Sequence, residues 1–333
     1  MIAFSPSSVL SRYPTAIAGL RWSPCGGGFS GATVWRGESS SRESLFALKV
    51  WPLGYDFERL GRIHRWMTVA RNRGPLSFVP AIVPTISGET ALLEAGRLWD
   101  LIAWMPGLAD FDTSPIDARL VATMTALAQL HRAWLPPIPT FGPCPAVLRR
   151  LDVLNRVPPT PTVSDPRLRE CVRRACERFP TQIPQAIAGL QSWATQSVPL
   201  QPCLRDVWHD HILFTGDAVT GIIDYGAAGI DHPAADLARI LGDFVGIDPT
   251  RVGFALHAYR TAGGSADVPE PFVFALLHAG LIGSVIGWLI RIHEGLPENV
   301  PVAAVAARMN RLLDRFDMAG SNPRHGDVNR PSS

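Results

Sequence analysis

The chain has 333 residues, 47% of them hydrophobic and 18% charged, with a formal net charge of +2. That length accommodates two domains, or one two-lobed enzyme with a sizeable core, and the composition is that of a folded globular protein rather than a disordered chain. A charge balance this close to neutral gives no support to nucleic acid or an acidic membrane surface as a partner.

The first residues carry no basic segment leading into an apolar run, so no secretory signal is expected. Leu20 to Pro24 reads as a strand, and Ala32 to Arg36 as its return, around the cluster Gly26-Gly27-Gly28-Phe29-Ser30-Gly31, which makes a glycine-tipped hairpin. Leu45 to Trp51 (LFALKVW) is an apolar strand broken by one charge, Lys49. Phe57 to Arg71 has helical spacing through Leu60, Ile63, His64, Met67 and Ala70. Strands are expected at Thr90 to Glu94 and Leu98 to Trp104, closed by Met105-Pro106-Gly107.

Beyond residue 107 the character turns helical. Ser114-Pro115 is a helix-start signal, and Leu120, Met124, Leu127, His131 and Trp134 form one apolar face behind it. Pro136 to Pro166 is proline-rich and reads as a long loop with a helical piece at Val147 to Leu154. Two separate helices follow, Leu168 to Phe179 and Ile183 to Ser197. Phe272 to Ile290 is almost wholly apolar and about as long as a membrane span. With His278 in its middle and Gly280, Gly283 and Gly287 as close-packing points, it reads as a core helix instead. No membrane partner is expected. The five cysteines, Cys25, Cys144, Cys171, Cys176 and Cys203, have neither zinc-ribbon nor redox spacing and fit reduced thiols of a cytoplasmic protein. The expected fold class is α+β: a small antiparallel, β-rich lobe over residues 1–106, a larger mainly helical lobe over 107–320, and a polar tail over 321–333.

The most informative stretch is Cys203 to Leu241, CLRDVWHDHILFTGDAVTGIIDYGAAGIDHPAADLARIL. Two short apolar runs, Ile212 to Phe214 and Thr220 to Ile223, flank Gly216-Asp217, a hairpin with a turn signal. Asp206 precedes the first run and Asp224 follows the second, so the hairpin should bring both carboxylates to one edge. Such convergence suits a hard cation and a general base. Taken singly these residues are ordinary: aspartates flank many turns, a lysine can sit on an edge strand, and glycine clusters fill many loops. An unpaired ammonium buried in an apolar strand, however, costs several kcal/mol, so Lys49 needs a partner. His209, Asp210 and His211 are also spaced closely enough to suggest a metal-dependent hydrolase.

The order of these motifs resembles the aminoglycoside phosphotransferase and choline kinase superfamily, with its protein-kinase-like bilobal fold. Ile223-Asp224-Tyr225-Gly226 followed by Pro233-Ala234-Ala235-Asp236-Leu237-Ala238 is similar to that family's metal-binding run, and Asp206 to its catalytic-loop aspartate. Ala126 to His131 resembles the family's helix ahead of that loop. The resemblance implies ATP-dependent phosphorylation of a small-molecule hydroxyl of amino alcohol, aminoglycoside or sugar type. Asp206 would act as catalytic base, Asp224 as magnesium ligand, and Lys49 as partner of the α- and β-phosphates. Gly27, Gly28, Phe29 and Ser30 would cover the phosphates, while Trp104 and Met105 would meet the adenine. Glu58 is the best-placed glutamate to pair with Lys49. Asp236 would support the catalytic loop.

Two departures stand out. Leu204-Arg205-Asp206 replaces the family's His-Gly-Asp, and His211 falls where an asparagine would bind a second metal. A neutral imidazole suits zinc or manganese better than magnesium, so His211 is either a ligand for manganese or a structural substitution. These losses leave a nucleotide-binding pseudokinase as the alternative. Asp210, Asp231, Asp243 and Glu294, with Trp208 and Trp288, either line a pocket for a cationic substrate or serve as surface charges and core packing.

Overall fold

A computed structural model describes residues 6–25, 31–41, 43–74, 76–296 and 300–316. Gly27, Gly28, Phe29, Ser30 and the 321–333 tail lie outside the described residues.

Two short helices, α1 (Ser7–Leu10) and α2 (Thr15–Ala18), lead into β1 (Arg21–Pro24), β2 (Thr33–Glu38) and β3 (Ser44–Val50). Helix α3 (Phe57–Arg73) then precedes β4 (Leu92–Glu94) and β5 (Arg97–Ala103). The five strands form one antiparallel sheet in the order β1-β2-β3-β5-β4. Val9, Leu10, Tyr13, Leu48, Val50, Trp99 and Leu101 make its apolar core. The periodicity of α3 holds position by position: Leu60, Ile63, His64, Met67 and Ala70 are all buried. Asp56 caps it, its carboxylate accepting from the amides of Glu58 (2.8 Å) and Arg59 (3.3 Å).

The remainder is dominated by helices: α4 (Asp117–Ala133), α5 (Pro145–Leu154), α6 (Pro166–Ala194), α7 (Ala234–Phe244), α8 (Pro249–Thr261), α9 (Glu270–Glu294) and α10 (Val302–Asp314). The face predicted for α4 is buried along Leu120, Met124, Leu127 and His131. Its start is not at Ser114, which closes a 3-10 turn over Phe111–Thr113; the residue that precedes the helix is Ile116. The two helices predicted for 168–197 are one, α6, which continues through Pro180 and Pro184. Each proline removes one i→i−4 hydrogen bond, but burial of Leu168, Cys171, Val172, Ala175, Ala186 and Leu190 along one stripe holds the rod together.

The proline-rich loop hides a strand, β6 (Thr140–Pro143), which pairs with β7 (Ser197–Cys203), itself paired with β10 (Gly229–Asp231). Helix α9 is long and apolar enough to cross a membrane, yet it packs against α5, α6 and α7 with Leu276, Ala279, Ile282, Ile286 and Leu289 buried. A Cβ on Gly280 would meet Arg150 at 3.3 Å and one on Gly283 would meet Val153 at 3.4 Å, as close packing requires. Gly287 has nothing within 4 Å and is not a packing point.

Candidate active site

Strands β8 (Ile212–Thr215) and β9 (Ala218–Ile222) form the predicted hairpin, closed by the two residues Gly216-Asp217 with Gly216 at φ +60°. Asp206 lies in the loop between β7 and β8, and Asp224 just after β9, so the hairpin returns both to one end. His211 stands between them: its Nδ1–H donates to the Asp206 carbonyl at 2.9 Å, and its Nε2 is 3.9 Å from Asp224 Oδ2.

Lys49 crosses from the sheet to meet this end. Its Nζ donates to Asp224 Oδ1 at 2.9 Å and lies 4.1 Å from the centre of the Trp51 ring. The expected problem of a lone ammonium in an apolar strand is thus solved by a carboxylate and a ring face. Trp51 is itself fixed, its indole N–H donating to buried Asp100 (3.0 Å), whose other oxygen is 2.9 Å from His64 Nε2. Glu58, expected as the lysine's partner, is not there. Its side chain is 87% exposed on the first turn of α3 and faces Arg62. A residue next to the N-cap points away from the crevice, and the sequence signal that would have replaced it is Trp51, two positions after Lys49 and so on the same face.

Asp224 adopts the left-handed conformation (φ +58°) that aspartate tolerates, and its carboxylate also accepts from the Gly226 amide at 3.3 Å. The Gly226 carbonyl takes hydrogen bonds from Tyr55 Oη (2.7 Å) and Arg59 Nη2 (3.0 Å), which ties the segment to α3. Burial works to raise the Asp224 pKa, but the charge and hydrogen bond of Lys49 hold it below the usual range. It is a carboxylate at neutral pH.

Asp206 is half-exposed, with Oδ1 accepting from Arg239 Nε at 3.2 Å. The loop bearing it hangs on Asp236, which is fully buried. One Asp236 oxygen accepts from the Leu204 amide (2.7 Å), the other from the Arg205 amide (2.6 Å), and His131 Nε2 adds a contact at 3.1 Å. Asp236 therefore supports the loop through its amides rather than capping its own helix.

The donor set fits a hard divalent cation through Asp224 alone, since magnesium is commonly held by one or two carboxylates with phosphate oxygens completing the shell. Both nitrogens of His211 are engaged within the protein. Its Nε2 lone pair accepts the indole N–H of Trp208 at 2.8 Å while Nδ1 is spent on Asp206, and burial, outweighing the nearby carboxylates, lowers its pKa and keeps the ring neutral. His209, Asp210 and His211 do not form a hydrolase-type cluster: His209 turns to Asp243 (2.5 Å), Asp112 (3.3 Å) and Asp210 (3.2 Å), away from the partners of His211. Among the described residues the one grouping with metal-ligating reach is His131, Cys203 and Asp236, all buried. Two of its three members are already hydrogen-bonded to one another.

Of the residues considered for a cationic pocket, Asp231 is buried under Arg149 and the Ala146 amide, Asp243 pairs with His209, and Trp288 is buried. They are structural. Trp208 instead stacks beneath Arg308, whose guanidinium is 4.0 Å from the ring centre.

The link between sheet and helices runs through Trp104, Met105, Pro106 and Gly107. The Trp104 amide is used by Leu45 (2.9 Å), whereas Met105 makes no backbone hydrogen bond among the described residues. Thr220 donates to the Pro106 carbonyl (2.8 Å), and Leu108 and Phe214 exchange two backbone bonds of 2.9 Å. Gly107, at φ +105°, lies so close to Phe214 that a Cβ would be 2.7 Å from its carbonyl oxygen.

The sequence profile of the phosphotransferase enzyme family matches residues 21–270. No curated protein matches the chain by sequence. Among solved structures, spectinomycin phosphotransferase in complex with ADP and spectinomycin superimposes with a TM-score of 0.66 at 11% identity, over 90% of this chain and 93% of that one. An amicoumacin kinase in complex with AMP-PNP, Ca2+ and Ami gives 0.57 at 12% identity, over 93% and 95%. A choline/ethanolamine kinase family protein from Mesorhizobium loti gives 0.54 at 16%, over 95% and 94%. At such identities the likeness establishes a shared fold, that of the protein-kinase-like phosphotransferases.

Proposed function

We propose, from the premise that the chain belongs to the phosphotransferase enzyme family, that it transfers the γ-phosphoryl group of ATP to a hydroxyl of a small molecule of amino alcohol, aminoglycoside or sugar type. The observation that carries this reading is the 2.9 Å contact between Lys49 and Asp224, which joins the sheet to the catalytic hairpin at the point where phosphates and a metal would have to be held. Lys49 would pair with the α- and β-phosphates, Asp224 would hold magnesium, or manganese in its stead, and the Met105 backbone would meet the adenine. The metal supplies neutralisation of phosphate charge when bound.

Asp206 would accept the proton of the attacking hydroxyl. Arg239 engages Oδ1 and orients the carboxylate, leaving Oδ2 to take the proton. Asp236 keeps the loop in register through its two amide contacts. The rate enhancement then comes from positioning and charge neutralisation, with no covalent intermediate.

The test is an ADP-release screen over amino alcohols, aminoglycosides and sugars with magnesium and with manganese. Asp206→Asn is expected to lose most turnover while keeping nucleotide affinity; full turnover in that variant removes the assigned base. Binding of an ATP analogue without turnover under any of these conditions supports the pseudokinase alternative, which the engagement of both His211 nitrogens within the protein favours.

A further inference from the structure

A second hollow, of about 310 Å³, shares none of its lining with Lys49, Asp206 or Asp224. Arg59, Arg62 and Trp66 of α3 form one side, and Arg205 with the Ala228–Ile230 backbone forms the other. Three arginines therefore line one small space.

The carboxylates nearby do not balance them. Asp231 is fully buried and already bound by Arg149, the Ala146 amide and the His232 amide; its approach to Arg205 Nε is only 3.8 Å. Glu58 reaches Arg62 at 3.9 Å from a side chain that is 87% exposed, where such a pair contributes little. Arg59 donates to the Gly226 carbonyl with Nη2, a neutral acceptor. Arg205 Nε is shielded from solvent and has no hydrogen-bond partner. Burial, followed by the like charge of Arg149, lowers the Arg205 pKa, with Asp231 and Asp236 opposing the shift and Arg59 adding to it.

Arg205 is also held at a cost. It sits at φ +69°, a conformation that disfavours any side chain beyond glycine by roughly 1–2 kcal/mol. Its guanidinium lies against Gly229, where a Cβ would come within 2.4 Å of Nη1. Strained backbone, an unpaired buried donor and a glycine that clears the way all serve to hold one guanidinium beside two others. Planar guanidinium forks match tetrahedral oxyanions, and convergent ones repel each other until an anion sits among them.

We propose that this hollow is an oxyanion site that takes a phosphate-type dianion, free or as a monoester, separately from the nucleotide crevice. The anion is bound from both sides, by α3 and by the residue directly preceding Asp206, and so joins the sheet's helix to the catalytic loop. This site does not depend on the phosphotransfer reading, because its test involves no turnover.

The full chain, free of nucleotide, is titrated by calorimetry with inorganic phosphate in one arm and O-phosphoserine in the other, at constant ionic strength. Saturable binding of one equivalent is expected, tighter for whichever form the site prefers. Arg62→Gln, on an exposed stretch of helix, should weaken binding about tenfold, as loss of one charge-assisted contact implies. Adding Arg205→Gly, which relieves the backbone rather than straining it, should remove saturation altogether. Lys49→Met should bind like wild type. Absence of saturable binding in both arms overturns the proposal. So does a loss in Lys49→Met equal to that in the double variant, since the ion would then reside in the nucleotide crevice.

Discussion

Replacing Asp236 by asparagine keeps the shape of the side chain and removes half of its hydrogen-bonding logic. The carboxylate accepts from two successive amides, Leu204 at 2.7 Å and Arg205 at 2.6 Å, with no exposure to water. An asparagine can accept only one of them through its oxygen; its NH2 then faces the other amide, donor against donor. The loss of one charge-assisted bond, about 1.5–3 kcal/mol, adds to a buried donor left unpaired, about 1–3 kcal/mol. A total of roughly 3–5 kcal/mol is expected, a large fraction of the ~5–15 kcal/mol that holds a typical domain. Urea unfolding measures it, with an unchanged m-value as the sign that the unfolded state is not the cause. Because the two amides belong to the residues just before Asp206, kcat should fall more than nucleotide affinity. A midpoint shift worth less than about 1 kcal/mol, with normal turnover, would refute the role given to this carboxylate.

Stability should peak near neutral pH through two histidines of opposite sense. For His209, burial is opposed and outweighed by Asp210 and Asp243, which push its pKa up to about 9, so its contribution is complete below the unfolded value near 6.5 and is lost as pH rises through 9. Burial drives His232 down to about 4, so its contribution is present above 6.5 and is lost as pH falls towards 4. Melting curves of His209→Gln should lose the alkaline slope and keep the acid one; identical alkaline slopes would contradict the assignment. Arg205→Gly should raise stability by about 1 kcal/mol by removing left-handed strain, and a lower melting temperature would show that the arginine's contacts outweigh that strain. Gly107→Ala should destabilise by about 2 kcal/mol or more, combining a φ of +105° with a clash at the Phe214 carbonyl; a variant melting within a degree of wild type would disprove the close approach.

The parts of the site that the sequence made legible were those carried by local rules. The Gly216-Asp217 turn between two apolar runs fixed the hairpin, and with it the return of Asp206 and Asp224 to one end. The single charge in LFALKVW marked Lys49, and its need for a partner was met by Asp224 across 175 positions of chain. What was not legible depends on contacts between distant segments. Glu58 had the right residue type but the wrong turn of α3, and nothing local disclosed that Trp51 and Asp224 already satisfied the lysine. His211 looked available until Trp208, three positions earlier, donated its indole N–H to it. Pro180 and Pro184 argued for a break that tertiary burial overrode, and β6 was hidden because its pairing partner, β7, lies more than fifty residues away.

The fastening of the interlobe link to the hairpin decides which part of the crevice can move. Pro106 and Leu108 are pinned to Thr220 and Phe214, so the link is fastened to the hairpin that carries Asp224 after it and Asp206 before it. Widening by a tilt of the sheet beyond that anchorage would have to part Lys49 from Asp224 and release Tyr55 and Arg59 from the Gly226 carbonyl. The aspartates act as a doorpost and Lys49 as the edge of the door, so a cross-link between β3 and β9 should trap the gap at a single width, whereas one within the hairpin should leave its swing unchanged.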